Sequence, residues 1–457
     1  MGGRVLVITY FFPPVGGGGV VRTLKYVTYL PRWGWQPVVI APGDPAFPVR
    51  DKSLIATLAT DLEVHRTASL EPGRMPTLAT RLLSRRRSSS AGVEVDLTTT
   101  SAPGSRSMRV LRKASIGWNR VWAVLLFPES AIAWMPFAVR AGLKANKRRR
   151  IDVIYSSALP ISTHIAAGLI KGRTHRAWVA DFRDPWIGNP FAAPMSRPKR
   201  WMQRRTERWI VKRADVVTVA VEAMRVQFAE RYPDLAHKFV HIPNGYDRAD
   251  LIGIEPEAPP RPGGFHLLYA GSLYRPKELE VFLLGVELLF ARRPDLRERL
   301  KVDFVGRVNE ANTRVAAEFT TSERLGAVVA FEGFIPRRRA LARMAGADAL
   351  LQLMPDLAGA EIFVGGKLGE YLAFDRPILA VMPPGEGRAL VEGLPMGIVA
   401  DVEPGSVADA LQRLLDDTPV PTPADPTGRF DRANLAGELA DVLDTVVAEY
   451  EAREGRH

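Results

Sequence analysis

The sequence predicts an α/β protein made of two similar halves, each a parallel sheet covered by helices. Short apolar segments rich in β-branched residues alternate with longer stretches of helical periodicity along most of the chain. This alternation stops at a proline-rich stretch, 255–264, and then restarts. With 457 residues the chain has room for two or three domains of ordinary size.

The first half opens with a buried strand, Arg4–Tyr10, and a glycine run, Gly16–Gly19. A helical pattern and a second strand, Pro37–Ala41, complete a β-loop-α-β unit. Residues 66–113 lack sustained periodicity and are predicted to form a mobile insertion. Further strands are predicted at 151–155, 178–181, 216–219 and 238–242.

The second half follows a linker that contains four prolines within Glu255–Gly264 and is therefore semi-rigid. Strands are predicted at 266–270, 302–305, 328–331, 349–353, 377–380 and 397–400. Helices are predicted at 277–292 and 366–373. A second proline-rich stretch, 418–426, precedes a final amphipathic helix, Arg432–Glu449.

Composition excludes several classes of protein. Hydrophobic residues make up 46% and charged residues 25%, which excludes a mostly disordered chain, and no apolar run approaches the length of a membrane span. With 0 cysteines there is no disulfide, thiolate nucleophile or cysteine-bound metal. Met1–Tyr10 does not resemble a signal peptide, so a cytoplasmic location is expected. The net charge of +12 favours anionic partners, although a high-arginine proteome would give the same excess.

The glycine run could bring backbone N–H groups close to an anion at the start of a helix. The second strand lacks the acidic residue of a dinucleotide site, since Asp44 comes late and after a proline, and no P-loop lysine follows the glycines. A loop that simply needs positive φ angles is the alternative.

Two elements of the second half also suit a phosphate. Arg275 and Lys277 follow the first strand, where α/β sheets bind ligands, although a solvated helix start is the alternative. Gly365 and Gly366 open a predicted helix with free N–H groups, and Glu370, one turn later, could accept hydrogen bonds from ribose hydroxyls. A glutamate favoured by the helix dipole is the alternative for Glu370.

The order of the motifs resembles family 4 glycosyltransferases of the GT-B fold, and more narrowly a bacterial subgroup with an Asp-Phe-Arg-Asp-Pro-Trp motif. The matching stretches are Tyr10–Arg22, Asp181–Trp186, Ile242–Asp247, Tyr269–Leu273 and Gly366–Leu372.

This resemblance implies two Rossmann-like domains that face a central cleft, with a C-terminal helix set apart. It implies an acceptor domain at 1–250, a linker at 251–264, a nucleotide-sugar donor domain at 265–425, and a helix and tail at 426–457. The implied reaction moves a sugar from a nucleoside-diphosphate sugar to a hydroxyl acceptor, with retention and without a metal. The nucleotide sugar is a co-substrate, and no other cofactor is implied.

The resemblance also assigns roles to residues of the donor side. Arg275 and Lys277 would contact the diphosphate during catalysis, and Glu370 would hold the ribose. The turn Gly333–Pro336 resembles the loop that contacts the base, although a packing turn fits it equally well. The other implied donor-binding residues are Gly17, Gly18, Phe334, Ile335, Val364, Gly365, Gly366 and Lys367.

On the acceptor side the implied catalytic residues are Asp184 and His164, and Arg22, Asp181 and Arg183 would contact the acceptor. A buried ion pair between Arg183 and one of the aspartates is the alternative, as is a packing role for His164. No residue is expected to bind a metal.

Two positions depart from the family pattern. The first of its two glutamates would fall on Ile362, and Glu361 stands one residue early. The usual histidine after the fourth strand is replaced by Ser156 and Ser157.

The segment Arg197–Arg213 carries eight cations together with Trp201 and Trp209. Such a helix suits an anionic membrane surface on which a lipid-linked acceptor would lie, at the inner face of the membrane. A solvated helix that covers the sheet is the alternative. The run Arg337–Arg339 is interpreted as surface charge.

Two other functions compete with the glycosyltransferase. A nucleotide-sugar 2-epimerase would share the fold but needs acid-base groups, and only 7 histidines are present. A non-catalytic basic protein that binds membrane or nucleic acid would rest on net charge alone. The expected partners are therefore a nucleotide sugar, a carbohydrate, lipid-linked or small-molecule acceptor and an anionic membrane surface, without nucleic acid.

Overall fold

A computed structural model describes residues 2–45, 50–71, 127–192, 195–257, 259, 263–273 and 275–454. The chain divides into two compact units. The first contains Met1–Ile187, Ala193–Thr218 and Ala440–His457, and the second contains Gly188–Ala192 and Val219–Leu439. The domain bounds predicted from the sequence, 1–250 and 265–425 with a linker at 251–264, remain predictions.

The first sheet is built from short segments of mainly buried residues. Its strands are β1 (Gly3–Thr9), β2 (Trp35–Pro42), β3 (Glu63–Thr67), β4 (Val153–Ala158), β5 (Ala177–Phe182), β6 (Val216–Val219) and β7 (Phe239–His241). Their order is β3-β2-β1-β4-β5-β6-β7, and the pairs from β3 to β5 are parallel.

Helices lie between these strands, as a parallel sheet requires. They are α1 (Gly18–Tyr29), α2 (Met135–Arg148), α3 (Ser162–Thr174), α4 (Arg197–Arg213) and α5 (Glu222–Arg231).

The second sheet has the order β10-β9-β8-β11-β12-β13, and all its neighbouring strands are parallel. Its strands are β8 (Phe265–Ala270), β9 (Leu300–Val305), β10 (Val329–Gly333), β11 (Ala349–Leu353), β12 (Ile378–Val381) and β13 (Gly397–Ala400). The later helices are α6 (Pro276–Arg292), α7 (Leu296–Arg299), α8 (Glu310–Phe319), α9 (Arg337–Gly346), α10 (Leu368–Tyr371), α11 (Glu386–Glu392), α12 (Pro404–Asp416) and α13 (Arg432–Glu454).

Both faces of the second sheet are buried, which explains its nearly continuous apolar strands. On one face Leu267 and Leu351 pack with the inner sides of α6 and α12, including Phe282 and Leu411. On the other face a second cluster, which includes Met344 of α9, packs against the sheet. The two cores fix the strand register, because a shift by one residue would exchange the faces.

Three elements differ from the sequence-based predictions. Strand β3 was not predicted because Glu63–Thr67 is an only partly buried edge strand without an apolar run. Residues 66–71, assigned to the mobile insertion, include the end of this strand and the buried Glu71, whereas 72–113 lie outside the described residues. The helix predicted at 366–373 is a single turn, α10.

The C-terminal helix α13 is longer than predicted and is not set apart. Leu435 and Leu439 are buried in the second unit, and Leu443 and Val446 are buried in the first. Near its end the Lys171 ammonium lies 5.4 Å from the centre of the Tyr450 ring. Within the described part of the chain, no helix combines the length and apolar character that crossing a bilayer requires.

The contact between α6 and α12 predicts a sharp difference between two glycine substitutions. A Cβ atom on Gly285 would lie 2.6 Å from Val407 Cβ and 3.1 Å from the Pro404 carbonyl oxygen, whereas one on Gly405 would meet nothing within 4 Å. Gly285→Ala should lower the free energy of unfolding by about 1–3 kcal/mol through overpacking. Gly405→Ala should leave it unchanged or raise it by up to about 1 kcal/mol through helix propensity. Urea unfolding of both variants measures this, and equal effects would contradict the packing described.

Candidate functional site

Each sheet has a topological switch point, on either side of which the strand order runs in opposite directions. It lies between β1 and β4 in the first sheet and between β8 and β11 in the second. Loops leave such a point on opposite sides and open a crevice at the carboxyl ends of the strands, where open α/β sheets bind ligands. The glycine run follows β1 and the basic turn follows β8, so both predicted motifs lie at these points.

The basic turn after β8 presents two cations to solvent. Arg275 and Lys277 flank Pro276 at the start of α6, and both are exposed. Lys277 Nζ lies 3.8 Å from Asp356 Oδ2, and the two side chains are 62% and 54% exposed. A pair this exposed contributes little free energy, so an anion can replace it at small cost.

Beneath the turn lies Glu278, a buried carboxyl group that the sequence analysis missed. Burial raises its pKa, and the nearby charges of Arg275 and Lys277 oppose that rise. In the sequence, the feature that could have indicated Glu278 is its position directly after the two cations, in the first turn of α6.

Side chains hold the backbone of the basic turn. The Tyr269 hydroxyl donates to the Ser272 carbonyl oxygen at 2.9 Å. The Asn312 side-chain amide donates to the Leu273 carbonyl oxygen at 3.3 Å, and Asn309 donates to the same oxygen at 3.4 Å. The turn is therefore held in place by side chains of its own unit, as preorganised anion binding requires.

The Gly365–Gly366 turn lies next to the basic turn. Gly365 has a φ of +82°, and a Cβ atom there would lie 3.0 Å from Gln352 Nε2. The Tyr371 hydroxyl accepts from the Ala270 N–H at 2.9 Å and donates to the Leu351 carbonyl oxygen at 3.1 Å. This one side chain therefore joins α10 to β8 and β11, on either side of the switch point.

Glu370 is the most strongly held charge of this region. Arg337 Nη1 donates to Oε1 at 2.6 Å, and Lys367 Nζ donates to Oε2 at 2.6 Å. Arg337 also bonds Asp250 Oδ2 at 3.0 Å. Burial alone would raise the pKa of Glu370, but Arg337 and Lys367 lower it to about 2. The carboxylate stays ionised and keeps lone pairs that can accept further hydrogen bonds.

The interpretation of 337–339 as surface charge is therefore wrong for Arg337, because its guanidinium bridges Glu370 and Asp250. Its place directly after the predicted base-contacting turn was the indication available in the sequence. The alternative interpretation of Glu370, a glutamate favoured by the dipole of its helix, does not fit the structure. Helix α10 has only four residues and a correspondingly small dipole.

The residues predicted near the base take different positions. Phe334 is 69% exposed, and the Arg307 guanidinium lies 5.6 Å from its ring centre. The Ile335 side chain is buried in the core, so only its backbone could meet a ligand. Val364 is half-buried. The Glu361 carboxylate accepts from the Gly359 N–H at 2.8 Å, and Ile362 is buried.

In the first unit, Arg183 connects the glycine run to Asp184. Its Nη1 donates to the Gly19 carbonyl oxygen at 2.7 Å, and its Nε donates to Asp184 Oδ2 at 2.9 Å. Helix α1 begins at Gly18 without an acidic residue in its first turn, and a Cβ atom on Gly17 or Gly18 would meet nothing within 4 Å. The first turn of α1 is thus open to an anion, and Asp184 is 34% exposed beside Arg183.

Asp181 and Arg22, predicted to contact the acceptor, instead form a buried ion pair. Arg22 Nη2 lies 2.9 Å from Asp181 Oδ1, and both side chains are almost fully buried. Ser157 and Thr218 donate to the same carboxylate at 2.8 and 2.9 Å. Burial alone would raise the pKa of Asp181, but Arg22 and these hydroxyl groups lower it. The predicted alternative was a buried pair with Arg183; the partner is Arg22.

His164 is also buried rather than exposed to a substrate. Its Nδ1 lies 2.8 Å from Ser156 Oγ, which also accepts from Trp178 Nε1 at 2.8 Å. Burial lowers the pKa of His164 to about 3, so the ring is neutral. The structure supports the packing alternative for this residue. Among the described residues, no group of three or more histidine, aspartate or glutamate side chains is placed to hold a metal ion.

Comparison with known protein sequences finds two partial matches. A family model described as Glycosyltransferase Family 4 matches residues 80–250. A D-inositol 3-phosphate glycosyltransferase of Paenarthrobacter aurescens (strain TC1) is 30% identical over 157 residues. That alignment covers 34% of this chain and 37% of the relative, so the chain matches only about a third of the relative's length.

Solved structures match over nearly the whole chain. A glycosyltransferase from Rickettsia africae superposes with a TM-score of 0.60 at 11% identity, over 98% of this chain and 99% of the other. The Anabaena protein HepE, in complex with UDP and glucose, gives a TM-score of 0.55 at 15% identity, over 97% and 99%. The predicted α/β fold of GT-B type and the resemblance to family 4 are confirmed.

The buried ion pair predicts a large effect on stability. Asp181→Asn should lower the free energy of unfolding by about 3–5 kcal/mol, because it leaves the Arg22 charge buried without its partner. The matched change Asp184→Asn, at a partly exposed ion pair, should cost less than about 1 kcal/mol. Urea unfolding at neutral pH measures both, and similar losses for the two variants would contradict the burial described.

The low pKa of Glu370 predicts a pH dependence of stability. A carboxyl group with a folded pKa of about 2 and an ordinary value of 4.5 stabilises the fold above pH 4.5. That contribution, about 3 kcal/mol, is lost as the pH falls from 4.5 through 2. Glu370→Gln should remove this part of the acid-induced loss, as measured by unfolding between pH 2 and pH 6. An unchanged slope would show that Glu370 is not ion-paired in solution.

Proposed function

We propose that this chain, a protein of GT-B fold that resembles family 4 glycosyltransferases, transfers a sugar from a nucleoside-diphosphate sugar to a hydroxyl acceptor. The observation that carries the proposal is the contact between two loops at the switch point of the second sheet. A Cβ atom on Gly271 would lie 3.4 Å from Lys367 Cγ, so the basic turn and the Gly365–Gly366 turn share one crevice.

The charges in this crevice suit a nucleoside diphosphate. Arg275 can bind a phosphate oxygen pair through its planar guanidinium, and Lys277 supplies a second charge. Glu370, held ionised by Arg337 and Lys367, can accept hydrogen bonds from the two ribose hydroxyls. Phe334 offers an exposed ring near which a base could stack.

In the proposed reaction the bond between the sugar's anomeric carbon and the diphosphate oxygen breaks, and a bond to the acceptor oxygen forms. The diphosphate leaves with the bonding electrons, and its departing oxygen takes up the proton that the acceptor hydroxyl loses. Arg275 and Lys277 stabilise the charge that develops on the leaving group. Retention of configuration and independence of a metal are part of the proposal, on the basis of the family resemblance.

For the donor we propose UDP as the first nucleotide to test, since the matching Anabaena structure is a complex with UDP and glucose. For the acceptor we propose a hydroxyl group bound in the first unit, near Asp184 and the first turn of α1. A polysaccharide, a lipid-linked sugar and a small molecule are the candidate acceptors, and inositol phosphate is included because of the Paenarthrobacter relative. The cytoplasmic location remains a prediction.

The proposal predicts a division of labour between the units. Arg275→Ala and Lys277→Ala should each weaken nucleotide binding and donor kcat/KM by about 10- to 100-fold, the usual worth of a hydrogen bond to a charged group. Asp184→Ala should instead raise the KM for the acceptor. Thermal-shift titration against UDP, GDP, dTDP and ADP, followed by transfer assays, measures these effects.

Matched controls are available on the same unit. Lys301→Ala removes a lysine at the start of β9, the opposite end of the sheet, and Arg314→Ala removes an exposed arginine of α8. Both should bind nucleotide as the unchanged protein does. Binding of none of the four nucleotides, or equal losses in the control variants, would contradict the proposal. Formation of an epimer from the nucleotide sugar without acceptor would favour the 2-epimerase instead.

A further inference from the structure

Helix α4 has two different faces. Gln203, Glu207, Ile210 and Val211 are buried. The rest of its surface carries Trp201 and a series of exposed arginines. Arg197, Arg200, Arg204 and Arg208 recur every three or four residues, which places them in one stripe beside Trp201. The exposed arginines of α4 are Arg197, Arg200, Arg204, Arg205, Arg208 and Arg213.

None of these six arginines forms an ion pair with a carboxylate among the described residues. The other arginine-rich helix, α9, is different. Arg337 pairs with Asp250 and Glu370, and Arg339 pairs with Glu257 at 2.9 Å. Arg343 pairs with Asp303 at 3.3 Å. The fold therefore neutralises three of the four arginines of α9 and, in the part of the chain that the structure describes, leaves the exposed arginines of α4 without carboxylate partners.

The two tryptophans of α4 also differ. Trp209 packs into the protein, since a Cβ atom on Gly168 of α3 would lie 2.6 Å from its ring. Trp201 is 62% exposed, and the Arg205 guanidinium lies 5.6 Å from its ring centre. Exposure of such a large apolar ring to water is unfavourable, whereas the boundary between lipid headgroups and acyl chains accommodates both the ring and its cationic neighbours.

We propose that the Trp201–arginine stripe of α4 binds the surface of an anionic lipid bilayer. Charge complementarity selects an anionic surface, and the single exposed indole between arginines favours a bilayer over nucleic acid, since a bilayer surface accommodates an indole beside cations. The stripe is long enough for several headgroups, since the helix of 17 residues spans about 25 Å.

The position of the stripe relates it to the acceptor side of the proposed transferase. Gln203 Nε2 donates to the Trp186 carbonyl oxygen at 2.6 Å, so the first turns of α4 lie against the end of the segment 181–186 that contains Asp184. A lipid-linked hydroxyl acceptor at the bilayer surface would reach this segment. Only the nature of the acceptor rests on the proposed function, because binding to a bilayer requires no nucleotide sugar.

The test is sedimentation of the full chain with vesicles, without nucleotide. Vesicles of phosphatidylcholine with about one-third phosphatidylglycerol should bind the protein, and pure phosphatidylcholine vesicles should bind it at least about 10-fold more weakly. The triple variant R200Q/R204Q/R208Q should bind the anionic vesicles about 10- to 100-fold more weakly. Trp201→Ala should weaken binding several-fold. In the unchanged protein, the fluorescence of Trp201 should shift to the blue when vesicles are added.

Two controls separate this stripe from net charge and from exposed indoles in general. R292Q/R293Q/R314Q removes three arginines of the second unit, two of them exposed and one partly buried, and Trp33→Ala removes an indole that is 48% exposed in the first. Both should bind vesicles within about twofold of the unchanged protein. Thermal unfolding confirms that every variant is folded.

Equal losses in the charge-matched triple variant would overturn the proposal, as would tighter binding to double-stranded DNA than to anionic vesicles with no effect of Trp201→Ala. The outcome is independent of the transfer assay. A protein that binds vesicles through α4 but transfers no sugar would refute the proposed function alone.

Discussion

The buried carboxylate of Asp181 is the interaction on which the first unit depends. It accepts hydrogen bonds from Arg22 of α1, Ser157 of β4 and Thr218 of β6, and so joins four elements at the carboxyl end of the sheet. A charge this deep is stable only while all its partners remain, which ties the glycine run before α1 to the strand that precedes Asp184. The geometry around Asp184 and the first turn of α1 therefore depends on a residue that is too deeply buried for a ligand to reach.

The second unit also holds a carboxylate through ion pairs, but this carboxylate is less deeply buried than that of Asp181. Glu370 is held by Arg337 and Lys367, but it lies at the edge of the crevice and keeps acceptor capacity for a ligand. The cations divide in the same way. Arg337 is committed to carboxylates, whereas Arg275 and Lys277 lie exposed with at most a weak partner. The protein thus separates charges that hold the fold from charges that remain available to an anion.

The sequence predicted the architecture well because buried parallel strands are short, apolar and separated by helices, a pattern that is local. The edge strand β3 was not predicted because that pattern requires buried side chains, and none of the side chains of β3 is fully buried. The site residues were harder, because their roles depend on partners far apart in the chain. Arg22 and Asp181 are 159 residues apart, and periodicity alone gives no indication that such residues meet. His164 and Arg337 were misjudged for the same reason.

The short helix α10 limits which groups of the second unit could stabilise the leaving diphosphate of the proposed reaction. A long helix that begins at Gly365–Gly366 would offer its dipole to the phosphates, but a single turn carries little of that charge. The free N–H groups of the glycine turn remain, and they are neutral donors. In the proposed complex, side chains would therefore have to balance the negative charges of the diphosphate. Arg275 and Lys277, at the start of the 17-residue helix α6, are exposed cations that could do so. The proposed anion site of this unit consequently depends on the helix that follows β8, which lies beside the switch point of the sheet.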